Sequence, residues 1–133
     1  MKYIPQILIA CLLLTFCSCG NETEPAVLED PKHNEAEAKT LIDELHTRLK
    51  NGEDFAKLAN EYSEDPGSKE VGGQYEHVTV GMMVPEFDKV TFELGLNEIS
   101  EPFLTEFGFH IVTVTAIREN ERDVRHILIQ FKK

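Results

Sequence analysis

The sequence predicts an α+β domain, and three features carry that expectation. Between Ala38 and Leu49 apolar residues recur every three or four positions, the period of one helix face. Two later runs, Phe109 to Ile117 (FHIVTVTAI) and Val124 to Phe131 (VRHILIQF), are β-branched or aromatic almost throughout or densely apolar, as strands are. The stretch between helix and strands, SEDPGSKEVGG above all, has the Gly and Pro content of turns. With 133 residues, 41% of them hydrophobic, the chain is sized for one domain with one compact core.

The first segment is a leader. MKYIPQILIACLLLTFCSC has one positive charge at Lys2, an apolar stretch from Ile7 to Leu14, and small or cysteine residues after it. That is the pattern of a secretory signal, too short to span a bilayer comfortably. A buried helix would need amphipathic structure beside it, and the polar string GNETEPAVLEDPKHN follows instead. All three cysteines, Cys11, Cys17 and Cys19, sit here, so the remaining domain holds no disulfide, thiolate nucleophile or cysteine metal ligand. Ser18 before Cys19 resembles the small residue that precedes the lipidated cysteine of bacterial lipoproteins, whereas Cys17 follows the bulky Phe16. Phe16, three before Cys19, departs from the usual leucine. Residues 1–18 are therefore expected to be a lipoprotein signal peptide, Cys19 the lipidation site, and residues 19–33 a flexible acidic tether. From Gly20 to His33 it reaches at most about 45 to 50 Å. Removing residues 1–18 takes away only Lys2 and leaves 12 basic against 24 acidic side chains, a net charge of −12. That charge argues against nucleic acid and against electrostatic adhesion to anionic lipid, so membrane attachment would come from acyl chains.

Residues 34–133 form the expected domain. Asn34 followed by Glu37 has the form of a capping box, and Ala38, Leu41, Ile42, Leu45 and Leu49 share one face of a helix that ends before Gly52. Asp54 is placed to cap a second, short helix with Phe55, Leu58, Ala59 and Tyr62 on its apolar side. In the following turns Pro66 fixes one backbone angle, and Gly67, Gly72 and Gly73 permit positive ones. A strand is expected over Gln74 to Val80. Val84-Pro85-Glu86 opens a third helix, with Pro85 in its first turn and Phe87, Val90 and Leu94 inward. Pro102 to Thr105 is a short strand before the turn at Gly108, and RENERD reads as a polar turn between the two long strand runs.

Several blocks then fall in one order: G-x-D-F-x-x-L-A, Y-S-E-D-P-G-S, G-G, G-M-M-V-P-E-F-D, E-I-S-E-P and F-G-F-H-I. Together, over about Glu35 to Ile117, they closely resemble the parvulin family of peptidyl-prolyl isomerases. The resemblance implies a four-stranded antiparallel sheet flanked by helices. It also exposes a gap, because the family begins with an R-x-H-I-L strand ahead of the first helix, where this tether offers only PAVLEDP. Arg125-His126-Ile127-Leu128 at the far end matches it. In parvulins the first strand lies antiparallel beside the last, so a short turn joining them would make a circularly permuted domain whose usual first strand, Val124 to Lys133, is supplied by the C-terminus. Two other readings stay open: the closing segment begins a second, truncated domain, or it is exchanged between two chains.

The resemblance also implies a site. Met83 and Phe87 match the family's proline pocket, although their spacing alone reads as the core side of a short helix. His110 and His126 match two histidines that lie side by side in the sheet and fix each other's hydrogen bonding. Directly opposite positions would confine the turn to Ile117 to Glu119; the polar stretch is longer, so the register stays open. Asp65 matches a polar, sometimes cysteine, position that bears on the electrostatics of the twisting amide, and also reads as a turn residue before Pro66. Thr105 matches a site threonine, with a surface strand residue as the alternative. Gln74-Tyr75-Glu76-His77 departs from the acidic residue, leucine, glycine and aromatic that related sequences tend to carry. Tyr75 can still line the pocket, while Glu76 in place of glycine puts the local backbone in question. No cofactor is implied, and two histidines without a third suitably spaced ligand fall short of a zinc site. Nothing resembles the basic loop that gives some parvulins phosphate preference, and Lys132 and Lys133 read as a solubilising tail. The expected activity is isomerisation of X-Pro bonds in unfolded, exported polypeptides; the alternative is a binding module of the same fold with little turnover.

Overall fold

Helix α1 (Glu35–Lys50) opens on the expected capping box. Asn34 Oδ1 accepts from Glu37 N at 3.0 Å, and the Glu37 carboxylate accepts from Asn34 N at 2.9 Å, which satisfies two amides that the helix ladder leaves unpaired. The structure is a computed structural model and describes residues 30–133; the expected signal peptide, the expected lipidation site Cys19 and the expected tether up to residue 29 lie outside the described residues. Ala38, Ile42, Leu45 and Leu49 are buried, with Leu41 at the edge of the same core. Gly52, at φ +93°, turns the chain into α2 (Phe55–Tyr62), capped by Asp54 through Lys57 N at 2.7 Å.

Strands β1 (Gln74–Val78), β2 (Phe103–Thr105), β3 (Gly108–Ile117) and β4 (Arg122–Ile129) form one sheet in the order β1-β4-β3-β2, with every neighbouring pair antiparallel. Side chains alternate across it. Phe109, Ile111, Ile127 and Ile129 point into the core beneath α1 and α2. Val112, Val114 and Val124 point to the other face, where Phe87 of α3 (Pro85–Glu93) packs on them. Strand β4 is therefore covered on both faces and paired on both edges. The chain entering the domain meets its far end, since His33 bridges to Phe131 and accepts from Lys132 N at 2.9 Å.

Several expectations need correction. Strand β1 stops at Val78, two residues early, because Val78 pairs with Arg122, the first residue of β4, and β4 offers no partner beyond it. The left-handed residue of the irregularity between Tyr75 and Val78 is His77 (φ +56°), so Glu76 does not take the positive angle. Gly72 (φ +68°) and Gly73 (φ +76°) take left-handed angles, and Gly67 does not. Helix α3 buries Phe87, Asp88 and Thr91 and leaves Val90 half-buried, because Asp88 is held inward by Gly81 N on its carboxylate, while Leu94 at its C-cap packs on the core as expected. Lys133 is also more than a solubilising charge, as its Nζ donates to Glu106 O at 2.7 Å.

The β3–β4 turn spans Arg118 to Glu121, closed by Arg118 N on Glu121 O at 2.9 Å. This sets the open register: His126 pairs with Val112 and His110 with Leu128, so the two histidines are diagonal neighbours on one face.

Val124, Ile127 and Ile129 are fully buried and Leu128 is 5% exposed. At about 1.5 to 3 kcal/mol for each fully buried side chain, they rival a whole domain's stability of about 5 to 15 kcal/mol. Deleting Val124 to Lys133 is expected to leave a chain that is unfolded, or aggregated through the bared edge of β3. Moving the segment ahead of Asn34 through a flexible linker should restore cooperative melting, and the amides of Ile127 to Ile129 should be among the slowest to exchange. A truncated chain that melts cooperatively at the full-length temperature would contradict this.

Candidate functional site

His110 and His126 reach the α3 side of the sheet from adjacent strands, their rings stacked with centroids 5.7 Å apart and planes 16° from parallel. Their Nδ1 atoms are 3.5 Å apart. His110 Nε2 lies 2.7 Å from Thr105 Oγ1, which also accepts from Phe107 N at 3.1 Å across the β2–β3 turn. On the other side His126 Nε2 lies 2.8 Å from Asp65 Oδ2. The four polar residues that sequence motifs singled out thus stand in one line, Thr105, His110, His126, Asp65.

Close backbone approach to β4 makes the line possible. A Cβ on Gly73 would stand 2.1 Å from His126 O, and Gly73 O accepts from His126 N at 2.9 Å. A Cβ on Gly108 would stand 2.3 Å from Ile129 O. Either contact is far inside van der Waals range, so both positions require glycine. The segment that carries Asp65 is fixed to β4 as well: Glu64 N donates to Leu128 O at 2.8 Å, and Leu128 N donates to Ser63 Oγ at 3.2 Å.

Beside the line is a cavity of about 360 Å³, of the size that small-ligand clefts have. Met83, Val84, Phe87 and Leu128 supply its apolar surface, Tyr75 and Phe107 its sides, and Asp65, His110 and His126 its polar wall. Phe87 meets both imidazoles edge-on, at 5.7 Å from His110 and 5.4 Å from His126. It is only 3% exposed and packs with Val78, Val112 and Val124, so it is a core residue and a cavity residue at once. Met83 is half-buried at the cavity wall. Tyr75 lines the cavity as expected, and its hydroxyl also donates to Asp65 Oδ2 at 2.9 Å.

Sequence reasoning missed Ser68, Phe103, Phe107 and Leu128. Ser68, 1% exposed, hydrogen-bonds both Asp65 Oδ2 and His126 Nε2; it closes the Y-S-E-D-P-G-S block, three residues after Asp65. Phe103 stacks on His110 at 5.4 Å. Leu128 is two residues after His126, and strand alternation alone would have put it on the same face. Among the described residues no group of three His, Cys, Asp or Glu side chains is placed to hold a metal ion.

The electrostatics are set by burial opposed by hydrogen bonds. Burial is the largest single influence on Asp65 and would raise it, but His126, Ser68 and Tyr75 bonded to its carboxylate, and the field of His126, together hold it well below the usual carboxylate range. Burial, then the neighbouring His126, pushes His110 down to about 3. Burial, then the bond to Asp65, pushes the Tyr75 phenol up to about 12. An ionised Asp65 makes His126 Nε2 a donor. One proton placement then fills the line without a gap: Thr105 hydroxyl onto His110 Nε2, His110 Nδ1–H onto His126 Nδ1, and His126 Nε2–H onto Asp65.

The depressed His110 value has a thermodynamic consequence. The unfolded histidine takes up a proton near its ordinary value of 6.5, whereas the folded one stays neutral until about pH 3. Stability should therefore be fully present above pH 6.5 and be lost as pH falls, by up to about 1.4 kcal/mol per pH unit for one extra proton on the unfolded chain. Asp65 has the same sign in a lower window, its contribution being lost only below the ordinary carboxylate range. Urea unfolding between pH 7 and 5 should show this slope in the wild type and a flatter one in His110→Gln. Equal slopes in the two chains would refute it.

A family model for the PPIC-type PPIASE domain matches residues 6–118, ending before β4. Foldase protein PrsA 4 of Bacillus cereus is 47% identical over 76 residues, which are 57% of this chain and 27% of that protein. Chaperone SurA of Pseudomonas savastanoi pv. phaseolicola is 43% identical over 88 residues, 66% of this chain and 21% of that protein. The chain thus spans about a quarter of the length of these curated relatives. The crystal structure of a peptidylprolyl isomerase (PrsA) from Bacillus cereus superposes with a TM-score of 0.58 at 43% identity, covering 68% of this chain and 34% of that one. The α+β fold, its four-stranded antiparallel sheet and the family model agree, and the chain belongs to the PPIC-type peptidyl-prolyl isomerase domain family, the parvulins.

Proposed function

We propose that this domain is a peptidyl-prolyl cis-trans isomerase acting on X-Pro bonds of unfolded, exported polypeptides. One observation carries the reading: an apolar cavity floored by Phe87 and walled by Met83 lies against the line of Thr105, His110, His126 and Asp65. Rotation about an X-Pro bond breaks amide resonance, against a barrier of about 18 to 20 kcal/mol. Each ~1.4 kcal/mol removed speeds it tenfold. No nucleophile or cofactor is needed, only a site that binds the twisted amide better than the planar one. The planar amide carries more charge on its oxygen and gains more from water. Enclosing the proline ring beside Met83, Phe87 and Leu128 strips that water and favours the twisted form. Tyr75 and Asp65 border the same space, and the two histidines with Thr105 hold Asp65 and the wall in place. In this account they orient and polarise the site and transfer no proton.

The reading extends to the chain as a whole. We take β4 as the strand with which the family ordinarily begins, supplied here by the closing segment. Its R-x-H-I-L match and the contact of His33 with Lys132, across which a short link could join β4 to α1, support that assignment. Residues 1–18 act as a lipoprotein signal peptide, Cys19 is lipidated, and the acyl chains hold the domain at a membrane outside the cytoplasm. Cys19→Ala should abolish incorporation of radiolabelled fatty acid and release the protein from membranes, while Cys17→Ala should do neither. Unchanged labelling of Cys19→Ala would move or remove the anchor.

One feature favours the alternative, a module that holds unfolded chains with little turnover. Phe107, a lining residue of the cavity, is 53% exposed, and Met82, next to Met83, is 56% exposed, so apolar surface continues beyond the cavity. Because Phe87 is built into the core, its truncation to alanine would cost about 3 to 5 kcal/mol and confuse activity with stability. Met83→Ala is the cleaner test. It should lower kcat/KM in a protease-coupled proline-peptide assay by about tenfold, as loss of a few apolar contacts does, with little change in melting temperature. A folded wild type that binds unfolded chains yet shows no rate above background would favour the holding function.

A further inference from the structure

Three donors converge on a single oxygen, Oδ2 of Asp65: His126 Nε2 at 2.8 Å from β4, the Tyr75 hydroxyl at 2.9 Å from β1, and the Ser68 hydroxyl from the segment that follows Asp65 itself. Among the described residues, the second carboxylate oxygen takes only Gly67 N at 3.3 Å. Room for the phenol is built in, because a Cβ on Gly67 would stand 2.6 Å from Tyr75 Oη and 3.7 Å from Asp65 Oδ1. The Tyr75 ring also lies against His126, centroids 5.4 Å apart. A leucine here would fill the wall and donate nothing.

We propose that Tyr75 is a positioning residue of this site: with Ser68 as its partner donor, its hydroxyl holds Asp65 as an ionised carboxylate of fixed direction against His126, in addition to lining the cavity. A carboxylate accepts three donors on one oxygen only while that oxygen keeps its charge, since a proton on it would displace one of them. Each hydroxyl therefore opposes protonation of Asp65, and removing one gives way to the burial that drives the group toward its neutral form. The titratable groups that meet this carboxylate are His126 and Tyr75, with His110 of β3 beyond His126. From α3 and the loop before it come Phe87 and Met83, which do not titrate. Glu64, its chain neighbour, is engaged by Gln130 N at 2.6 Å and His33 at 3.8 Å.

The consequence for turnover rests on the isomerase reading of the cavity, whereas the consequence for the carboxylate does not, and one experiment separates them. In carbon-13 NMR of the chain labelled at aspartate, followed from pH 7 down to the acid limit of the folded state, the wild-type Asp65 carboxyl should keep its ionised shift through and below the usual carboxylate range. In Tyr75→Phe, which preserves the ring, its titration midpoint should rise by roughly one pH unit, the scale of losing one hydrogen bond to a charged group. Ser68→Ala should shift it the same way, and it keeps the test decisive should Tyr75→Phe fold poorly. The acid limb of the isomerisation rate should move with the midpoint. A midpoint that stays in place in the folded variants, even with a lower melting temperature, would overturn the proposal and leave Tyr75 a packing residue. A shifted midpoint in a chain without isomerase activity would uphold the role of Tyr75 and overturn the enzyme reading instead.

Discussion

Everything in this domain hangs on the backbone of β4. It pairs with β3 along its length on one edge, and on the other it pairs with β1 and takes the segment after α2. Its alternate side chains divide the labour, Ile127 and Ile129 filling the core under α1 and α2 while His126 and Leu128 face the cavity. The same peptide groups that stabilise the strand fix the site. Glu64 N on Leu128 O sets where Asp65 starts, and Gly73 O on His126 N sets where Tyr75 starts. Both attachments fall within two residues of His126, so the Asp65 carboxylate, the Tyr75 phenol and the His126 imidazole are positioned from one short piece of chain. A small domain with few loops to spare gains precision in this way, since no long lever of backbone separates the groups that must meet.

Buried polarity follows from that geometry. Two stacked imidazoles and a carboxylate within hydrogen-bond reach are expensive to enclose unless every polar atom finds a partner. Here the line ends at each side on a group that can close it: Thr105, itself engaged by Phe107 N, and Asp65, which accepts three donors on one oxygen. The neutrality of His110 is the complement of the ionisation of Asp65. A second charge beside His126 would raise the cost of burial, and the carboxylate lies too far along the line to offset it.

What the sequence made legible was local. The capping box at Asn34, the Asp54 cap, Pro85 in the first turn of α3 and the β-branched run of β3 each depend on a few neighbouring residues, and each forms as expected. Ordered motifs carried the site residues, and the structure brings Asp65, Tyr75, Met83, Phe87, Thr105, His110 and His126 together around one cavity or its polar wall. The misses depended on distant partners. Helix α3 turns Asp88 inward because an amide seven residues earlier meets its carboxylate, and no periodicity reports that. The diagonal placement of the histidines depends on the Arg118 to Glu121 turn and on an irregularity between Val114 and Ala116, which shifts the pairing by one residue. The hydrogen bond of Tyr75 to Asp65 was not legible, because its partner lies on another segment.

The two walls of the cavity are held by different kinds of force, and that difference suits the proposed chemistry. On the polar side, hydrogen bonds of fixed direction hold Asp65, His126 and Tyr75. On the other, Met83 and Phe87 come from a loop and helix anchored on the sheet by apolar packing and by Gly81 N on the Asp88 carboxylate. Contacts without direction accept a ring at any angle about its bond, provided it stays enclosed. Hydrogen-bonding groups discriminate angle steeply and lose their strength when misaligned. A twisting prolyl amide makes both demands at once, because the ring must remain out of water throughout the turn while the peptide group is favoured at one orientation over the others. An all-apolar cavity would strip water from the amide but leave the direction of its twist unfixed; an all-polar one would leave the planar amide as well solvated as in water. In the proposed mechanism, selectivity for the twisted form would arise where the walls meet, at the edge shared by Phe87, His126 and Tyr75.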